Sequence, residues 1–176
     1  MRFLSVISAW LGLAALASAT TIERLSVDEM IAKSTLIVRG KALGAEGVRR
    51  GGVIYTDYTF QVAETVRGSG ASSLRGAGRG GKAGGSSQYF AGTPRMEPGQ
   101  DYVVFVWTSK SGVHHIIGLS QGLFDAKLSA GGEWVLSRGA ATAHVVDAQG
   151  REVADKPVEL NWSDLKRRLR GAEAVR

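Results

Sequence analysis

The amino-acid sequence predicts a mainly β fold, either a small antiparallel barrel or a β-sandwich, with one short helix at each end. Three observations lead to this prediction. Short apolar or alternating runs recur along the chain, glycine-rich turns separate them, and the strand–helix–strand order of parallel sheets is not apparent. No repeat at a fixed period is visible, which excludes solenoids and propellers.

Residues 1–19 have the pattern of a secretory signal peptide. Arg2 supplies a short positive region, an apolar stretch follows, and Ala17-Ser18-Ala19 provides the small residues that signal peptidase requires. The apolar stretch is shorter than the roughly 20 residues that span a bilayer. We therefore expect export to the periplasm or the outside, and one mature β-rich domain at residues 20–176 with no membrane span.

The chain contains no cysteine, although small exported domains often depend on disulfides. Stability therefore has to come from the packed core, and thiolate catalysis, disulfide exchange and cysteine-ligated zinc are excluded. The formal net charge is +6, with several of the basic residues close to the C-terminus. A basic surface attracts anionic polymers without specificity. No cofactor is predicted.

A short helix is expected near each end of the mature chain. Ser26 followed by Glu29 forms a capping box, in which the hydroxyl accepts from a backbone N–H and the carboxylate reaches back to the cap. Residues 163–170 are expected to form the C-terminal helix, because Leu165 and Leu169 lie four residues apart on one face. Helices this short are marginal alone, so both should dock on the β-structure.

Two segments give the clearest strand signals. Residues 54–62 alternate between two faces, which places one face in a core and the other in water. Residues 102–107 are almost wholly apolar and predict a central strand. Further short strands between glycine turns favour a five- or six-stranded barrel of the oligonucleotide/oligosaccharide-binding (OB) shape, with a β-sandwich as the alternative.

The segment 68–85 is rich in glycine, and Leu74 is its one large apolar side chain. Fixing a residue's backbone costs about 1–2 kcal/mol, and glycine loses the most freedom. We therefore expect a mobile inter-strand loop, with at most a short strand near Ser73–Arg75.

Basic side chains in and beside this segment are candidates for binding an anionic polymer. Proteins that bind single-stranded nucleic acid place stacking aromatic side chains between their basic residues. Residues 68–85 contain no aromatic side chain, which disfavours nucleic acid. The candidate polyanion-binding residues are Arg67, Arg75, Arg79 and Lys82.

Residues 118–122, GLSQG, match the G-x-S-x-G pattern of a hydrolase nucleophile. That pattern has chemical meaning at a strand-to-helix elbow of a parallel sheet. Here the following residues, LFDAKL, read as a strand, so the alternative is that both glycines bend a strand pair. Ser120 is therefore kept as the nucleophile of an alternative hydrolase hypothesis, and no catalytic residue is assigned.

Histidines and carboxylates give no specific site. His114 and His115 are adjacent, so on a strand they point to opposite faces and do not bind one metal together. His144 with one of them and Asp125 is a formal zinc ligand set, but the spacing does not select it, and no metal site is predicted.

A glycosidase needs two carboxyl groups about 5–10 Å apart, and the sequence does not place Asp57 and Glu64 in that relation. Aromatic side chains either line a sugar groove or fill the core of a small β-domain. Those considered are Tyr55, Tyr58, Tyr89, Trp107, Trp134 and Trp162.

Four runs of the chain carry a resemblance: TLIVRGKALG, IYTDYTFQVAETVRGSG, FAGTPRMEPGQDYVVFVW and IIGLSQGLFDAKL. Over about residues 22–128 they resemble a group of secreted bacterial proteins with no established activity, so no site residue is implied. The general shape is similar to netrin-like and tissue metalloprotease-inhibitor barrels, although the N-terminal cysteine of such inhibitors is missing. Residues 72–85, SSLRGAGRGGKAGG, depart from the strand pattern of the group.

The expected function is a secreted, non-enzymatic binding or structural module. Its partner would be another exported protein or an anionic polymer. Two alternatives stay open: an inhibitor or partner of a secreted enzyme, and a hydrolase that uses Ser120.

Overall fold

The structure is a computed structural model that describes residues 20–69 and 72–174. The expected signal peptide, residues 1–19, lies outside the described residues. The fold is mainly β, as the sequence predicts. The strands are β1 Thr21–Glu23, β2 Leu36–Arg50, β3 Val53–Arg67, β4 Ser73–Arg79, β5 Gly81–Ala83, β6 Ser86–Gln88, β7 Asp101–Thr108, β8 His114–Ile116, β9 Leu123–Leu128, β10 Trp134–Arg138, β11 His144–Val146 and β12 Val158–Asn161.

Two helices flank the β-structure. The first, α1, spans Val27–Lys33, and the capping box at Ser26 and Glu29 that the sequence predicts is present. The second, α2, spans Trp162–Ala174 and so contains the expected helical residues 163–170. Neither of these two described helices is long and apolar enough to cross a membrane.

Eight strands form one sheet in the order β12-β10-β9-β7-β2-β3-β4-β8. All neighbours in it are antiparallel except β4 and β8, which are parallel and meet at the single residue pair Gly76–His114. Strand β8 also pairs with the end of β7, and β9 pairs with the beginning of β7. Strands β8 and β9 therefore lie one after the other along the same edge of β7.

Strand β7 is buried on both faces. Val103 and Phe105 belong to a core that contains the apolar side chains of α1 and α2. Val104 and Val106 point the other way, into a second core between β2, β3 and β4. Two-sided burial explains why this strand is apolar at successive positions, and the predicted central strand is confirmed.

The glycine-rich segment differs from the expected loop. Residues 73–79 form β4 and pair with β3 along their whole length, and β5 and β6 form a hairpin. Leu74 enters the core between β2 and β3. The hairpin lies so close to β2 that a Cβ atom on Gly47 would meet the Lys82 carbonyl oxygen at 1.8 Å. Glycine at position 47 of β2 therefore permits close contact between the two backbones.

The GLSQG residues fasten the N-terminal segment to the sheet. Leu119–Gly122 form a 3-10 turn between β8 and β9. The side chain of Gln121 is fully buried: its Oε1 accepts from the Leu25 N–H at 2.9 Å, and its Nε2 donates to the Glu23 carbonyl at 2.8 Å. A Cβ on Gly122 would meet the Ile117 carbonyl oxygen at 2.5 Å. The hydrogen bonds of Gln121 and the close backbone contact at Gly122 therefore account for the GLSQG pattern structurally.

The carboxylates of Asp155 and Glu64 attach other peripheral segments to the sheet. Arg138 and Asp155 form a buried pair, 2.7 Å apart, and Asp155 also accepts from the Ala141 N–H. Glu64 accepts from Trp162 Nε1 at 2.8 Å and from Lys166 Nζ at 3.2 Å, which ties α2 to β3. Burial acts to raise the pKa of both carboxyl groups, but these hydrogen bonds outweigh it, so each pKa lies below its ordinary value.

We expect Gln121→Ala to lower the free energy of unfolding by about 2–4 kcal/mol, because the buried Leu25 N–H and the partly buried Glu23 carbonyl lose their partner. Urea denaturation measures this change. The control is Ser120→Ala, since no described residue forms a hydrogen bond with the Ser120 side chain, and it should change stability by less than about 0.5 kcal/mol. Equal effects of the two substitutions would contradict this structural role of Gln121.

The protein should lose stability as the pH falls below about 4. Glu64 and Asp155 have lowered pKa values in the folded state, so the unfolded chain binds more protons in this range, and protonation favours unfolding. Thermal unfolding between pH 7 and pH 3 measures the effect. Asp155→Asn should be less stable at pH 7 and show a shallower loss towards pH 3; an unchanged pH profile would contradict this assignment.

Candidate functional site

A wide groove crosses the outer face of β2, β3 and β4. It has a volume of about 810 Å³ and is lined by residues 44–46, 57–59, 75–77 and 112–114. These residues are in register: Thr59 faces Gly44 on one side and Arg75 on the other. With strands about 4.8 Å apart, the groove extends roughly 14 Å from β2 to β8. A ligand in it would lie across the strands.

The polar floor follows from the alternation along β3. Tyr58 points into the core and is buried, so Asp57 and Thr59 point outward into the groove. On β4, Arg75 and Ala77 face outward in the same way, and Arg75 is exposed. The period-two pattern that predicts the strand therefore also separates the core face from the binding face.

Asp57 is the most distinctive group in the groove. Its Oδ2 lies 2.5 Å from Arg50 Nη2, and the Arg50 guanidinium also lies over the Tyr55 ring, 5.6 Å from the centroid. Asp57 Oδ1 is shielded from solvent, and no described residue donates a hydrogen bond to it. About a third of the Asp57 side chain is nevertheless exposed in the groove, so its carboxylate offers an acceptor to a hydroxyl or N–H of a ligand.

The turn between β7 and β8 forms the far wall of the groove and is internally bonded. The Ser109 N–H donates to the Val113 carbonyl at 2.9 Å, and the Val113 N–H donates to Ser109 Oγ at 3.0 Å. Gly112 has φ +81°, which suits a tight turn. Beyond the turn, His114 Nδ1 lies 3.0 Å from Thr108 Oγ1, so the hydroxyl holds the imidazole at the end of the groove.

An apolar cavity lies on the inner side of the same wall, between β4 and β8. Phe60, Met96 and Val104 are among its lining side chains, and its surface is almost entirely apolar. Tyr58 at its edge donates to the Pro94 carbonyl at 2.8 Å. Burial raises the pKa of this phenol, so Tyr58 stays neutral and acts as a structural donor.

The structure separates the candidate basic residues. Arg75 lies in the groove, and Arg79 is exposed on the same face of β4. Lys82 is exposed on β5, outside the groove-lining set. Arg67 donates to the Ile31 carbonyl at the end of α1, so it has a structural contact. Arg50 is the basic residue that sequence reasoning missed; it reaches Asp57 because the β2–β3 hairpin folds back at Gly51-Gly52.

The residues weighed for catalysis are dispersed. Ser120 borders a separate depression together with Arg95, Asp125 and Thr142. The histidines have other contacts: His114 with Thr108, His115 stacked on Trp107, and His144 with Glu152. Within residues 20–69 and 72–174, no group of three or more histidine and carboxylate side chains is arranged to hold a metal ion.

The aromatic side chains also lie apart. Trp162 is buried against the helices, and Trp134 packs under Arg39, 4.4 Å from the guanidinium carbon to the ring centroid. Trp107, on β7, is about half exposed. It pairs with His115 and therefore lies on the opposite face of these strands from His114, which lines the groove. Of the six aromatics considered from sequence, only Tyr58 borders the groove, and its ring faces the core.

Comparison of the chain with models of protein families, with curated proteins and with solved structures gives no significant match. The inference of function therefore rests on the side chains that the fold brings together.

We expect Asp57→Ala to change the free energy of unfolding by less than about 1 kcal/mol, because its ion pair with Arg50 is substantially exposed. Asp155→Ala, which breaks the buried pair, should cost about 3–5 kcal/mol. Urea denaturation of the two variants gives the comparison. If Asp57→Ala destabilised the protein as strongly as Asp155→Ala, Asp57 would have a structural role. It would then no longer be the main candidate for a ligand-binding residue in the groove.

Proposed function

We propose that this protein is an exported, non-enzymatic binding module that holds an acidic saccharide in the groove across β2, β3 and β4. The observation that carries the proposal is that the partly exposed Asp57 carboxylate and the exposed Arg75 line the floor of the same groove. The first group accepts hydrogen bonds, and the second offers donors and a positive charge. Sugar hydroxyls and a carboxylate supply both requirements.

The proposed scaffold is a small OB-like barrel. Pairing runs from β2 to β3, β4, β8 and β7 and returns from β7 to β2, so each of these strands has two neighbours within this ring. The β4–β8 contact, a single parallel pair, is where the ring of strands would close. Barrels of this kind bind oligonucleotides and oligosaccharides on the face of strands 2 and 3 and on two adjoining loops. In a barrel of this kind the groove across β2, β3 and β4 would match that face, which supports the proposal by analogy.

The chemistry of the groove favours a saccharide over the other polymers. Nucleic acid would need aromatic side chains on which its bases stack, and the described groove residues offer none on the outer face. An extended peptide usually binds by adding a strand along a sheet edge, whereas this groove crosses the strands. Side-chain donors and acceptors on the floor match hydroxyl groups instead.

Charge sets the expected preference for an acidic saccharide. Arg50 is paired with Asp57, and the exposed Glu46 carboxylate lines the β2 side of the groove. Arg75, two strands away on β4, is the cation left for a ligand, so we expect a carboxylate to bind on the β4 side. Arg79 projects from the same face of β4 four residues later, about 13 Å away, and extends the basic surface beyond the groove. A polymer with carboxylates along its length would contact both arginines.

We expect a hexamer of a uronic acid to bind at low salt, and binding to weaken as salt screens the contact. Arg75→Ala should weaken it about tenfold, because a hydrogen bond to a charged group is lost. Isothermal titration calorimetry measures both effects. Arg170→Ala is the matched control: this arginine is exposed on α2, outside the groove, and its loss should change affinity less than twofold.

Three outcomes would count against the proposed function. The hexamer would fail to bind at low salt, both arginine substitutions would weaken binding equally, or a single-stranded DNA oligomer of the same charge would bind as tightly. The second outcome would indicate attraction by net charge, and the third would return nucleic acid as the ligand.

A further inference from the structure

The cavity behind the groove has the size of one small apolar group. Its volume is about 20 Å³, whereas a site needs about 10–15 Å³ to hold one water-sized sphere. Its lining includes Leu74, Val106 and Ile116. A water molecule needs two to four polar partners, and this apolar lining does not provide them. A methyl group fits the space and the chemistry.

The cavity and the groove share one wall. Tyr58, Gly76, Ala77 and His114 line both of them. Strands β4 and β8 pair in this wall at Gly76 and His114 alone. Beyond this pair, no backbone hydrogen bonds between the two described strands close the wall. Gly76 is on the core-facing side of β4, in register with Tyr58, and has no side chain to fill the space in front of it.

The backbone conformation at position 76 does not require a glycine. A Cβ added there would meet only the His114 carbonyl oxygen, at 3.8 Å, an ordinary van der Waals distance. Several other glycines of the sheet, such as Gly40, could not carry a Cβ without a backbone clash. The fold therefore tolerates a side chain at position 76, and the absence of one leaves the cavity open.

We infer that the cavity is a specificity pocket for the methyl group of an acetyl substituent on the acidic saccharide bound in the groove. The inference rests on the proposed function and defines the class of ligand more narrowly. The carboxylate of the saccharide contacts Arg75, a hydroxyl or amide N–H donates to Asp57, and the acetyl methyl enters between β4 and β8. Burying one methyl contributes about 0.8 kcal/mol, so the acetylated form should bind roughly fourfold more tightly.

The test compares O-acetylated and unacetylated uronate hexamers of the same length on wild-type protein and on two glycine variants. Gly76→Ala places a methyl group in the cavity. Gly139→Ala makes the same chemical change outside the groove, at a position where a Cβ would meet nothing within 4 Å. Wild type and Gly139→Ala should prefer the acetylated hexamer about fourfold, and Gly76→Ala should bind both forms equally.

Nuclear Overhauser contacts provide a measurement that does not depend on the variants. In the complex of wild-type protein with the acetylated hexamer, the acetyl methyl should show contacts with the methyl groups of Met96, Val106 and Ile116. Thermal unfolding checks that Gly76→Ala retains the stability of the wild type.

The outcomes separate the two proposals. If wild type binds both hexamers equally, or if the acetyl methyl shows no contact with the cavity side chains, the pocket inference is overturned while the groove keeps its proposed function. If neither hexamer binds, both proposals fail. If Gly76→Ala retains the preference for the acetylated form, the methyl binds elsewhere and the inference is wrong.

Discussion

The two-sided burial of β7 is the constraint on which the rest of the structure depends. Residues 102–106 are all nearly inaccessible to solvent, so each face of the strand needs a layer of its own. The helices cover one face, and β2, β3 and β4 enclose the other. Both edges of β7 are also paired, to β2 on one side and to β8 and β9 on the other. With no cysteine in the chain, these two cores supply the main stabilisation.

The groove is largely independent of this core, which is what a binding surface requires. Its floor consists of outward-facing side chains of β3 and β4, whose inward neighbours already hold the strands in place. Asp57 Oδ1 therefore has no hydrogen-bond donor among the described residues, and the cost is modest because burial elsewhere is large. The one place where groove and core meet is the β4–β8 wall. There a single residue pair and a glycine bring an apolar cavity close to the polar surface.

Polar contacts in the rest of the molecule attach segments to the core. Gln121 holds the N-terminal segment, Arg138 and Asp155 hold the chain that leads to β12, and Glu64 holds α2. Each contact joins residues distant in sequence. The GLSQG residues show the consequence: their pattern is consistent with a nucleophile turn, but the glutamine's hydrogen bonds with Glu23 and Leu25 explain the pattern structurally. Only the folded chain reveals partners almost a hundred residues away.

Local patterns by themselves determined the mainly β class, the capping box of α1, the C-terminal helix and the central position of β7. Each of these depends on neighbouring residues, through alternation, capping or a continuous apolar run. The tertiary structure alone decided that the glycine-rich segment contains β4, that Arg50 rather than Arg67 accompanies the groove, and that Gly76 borders a cavity. These features depend on strand register and on close backbone contact between distant segments. Register follows from the whole set of pairings, and a glycine's neighbours in space cannot be read from its neighbours in sequence.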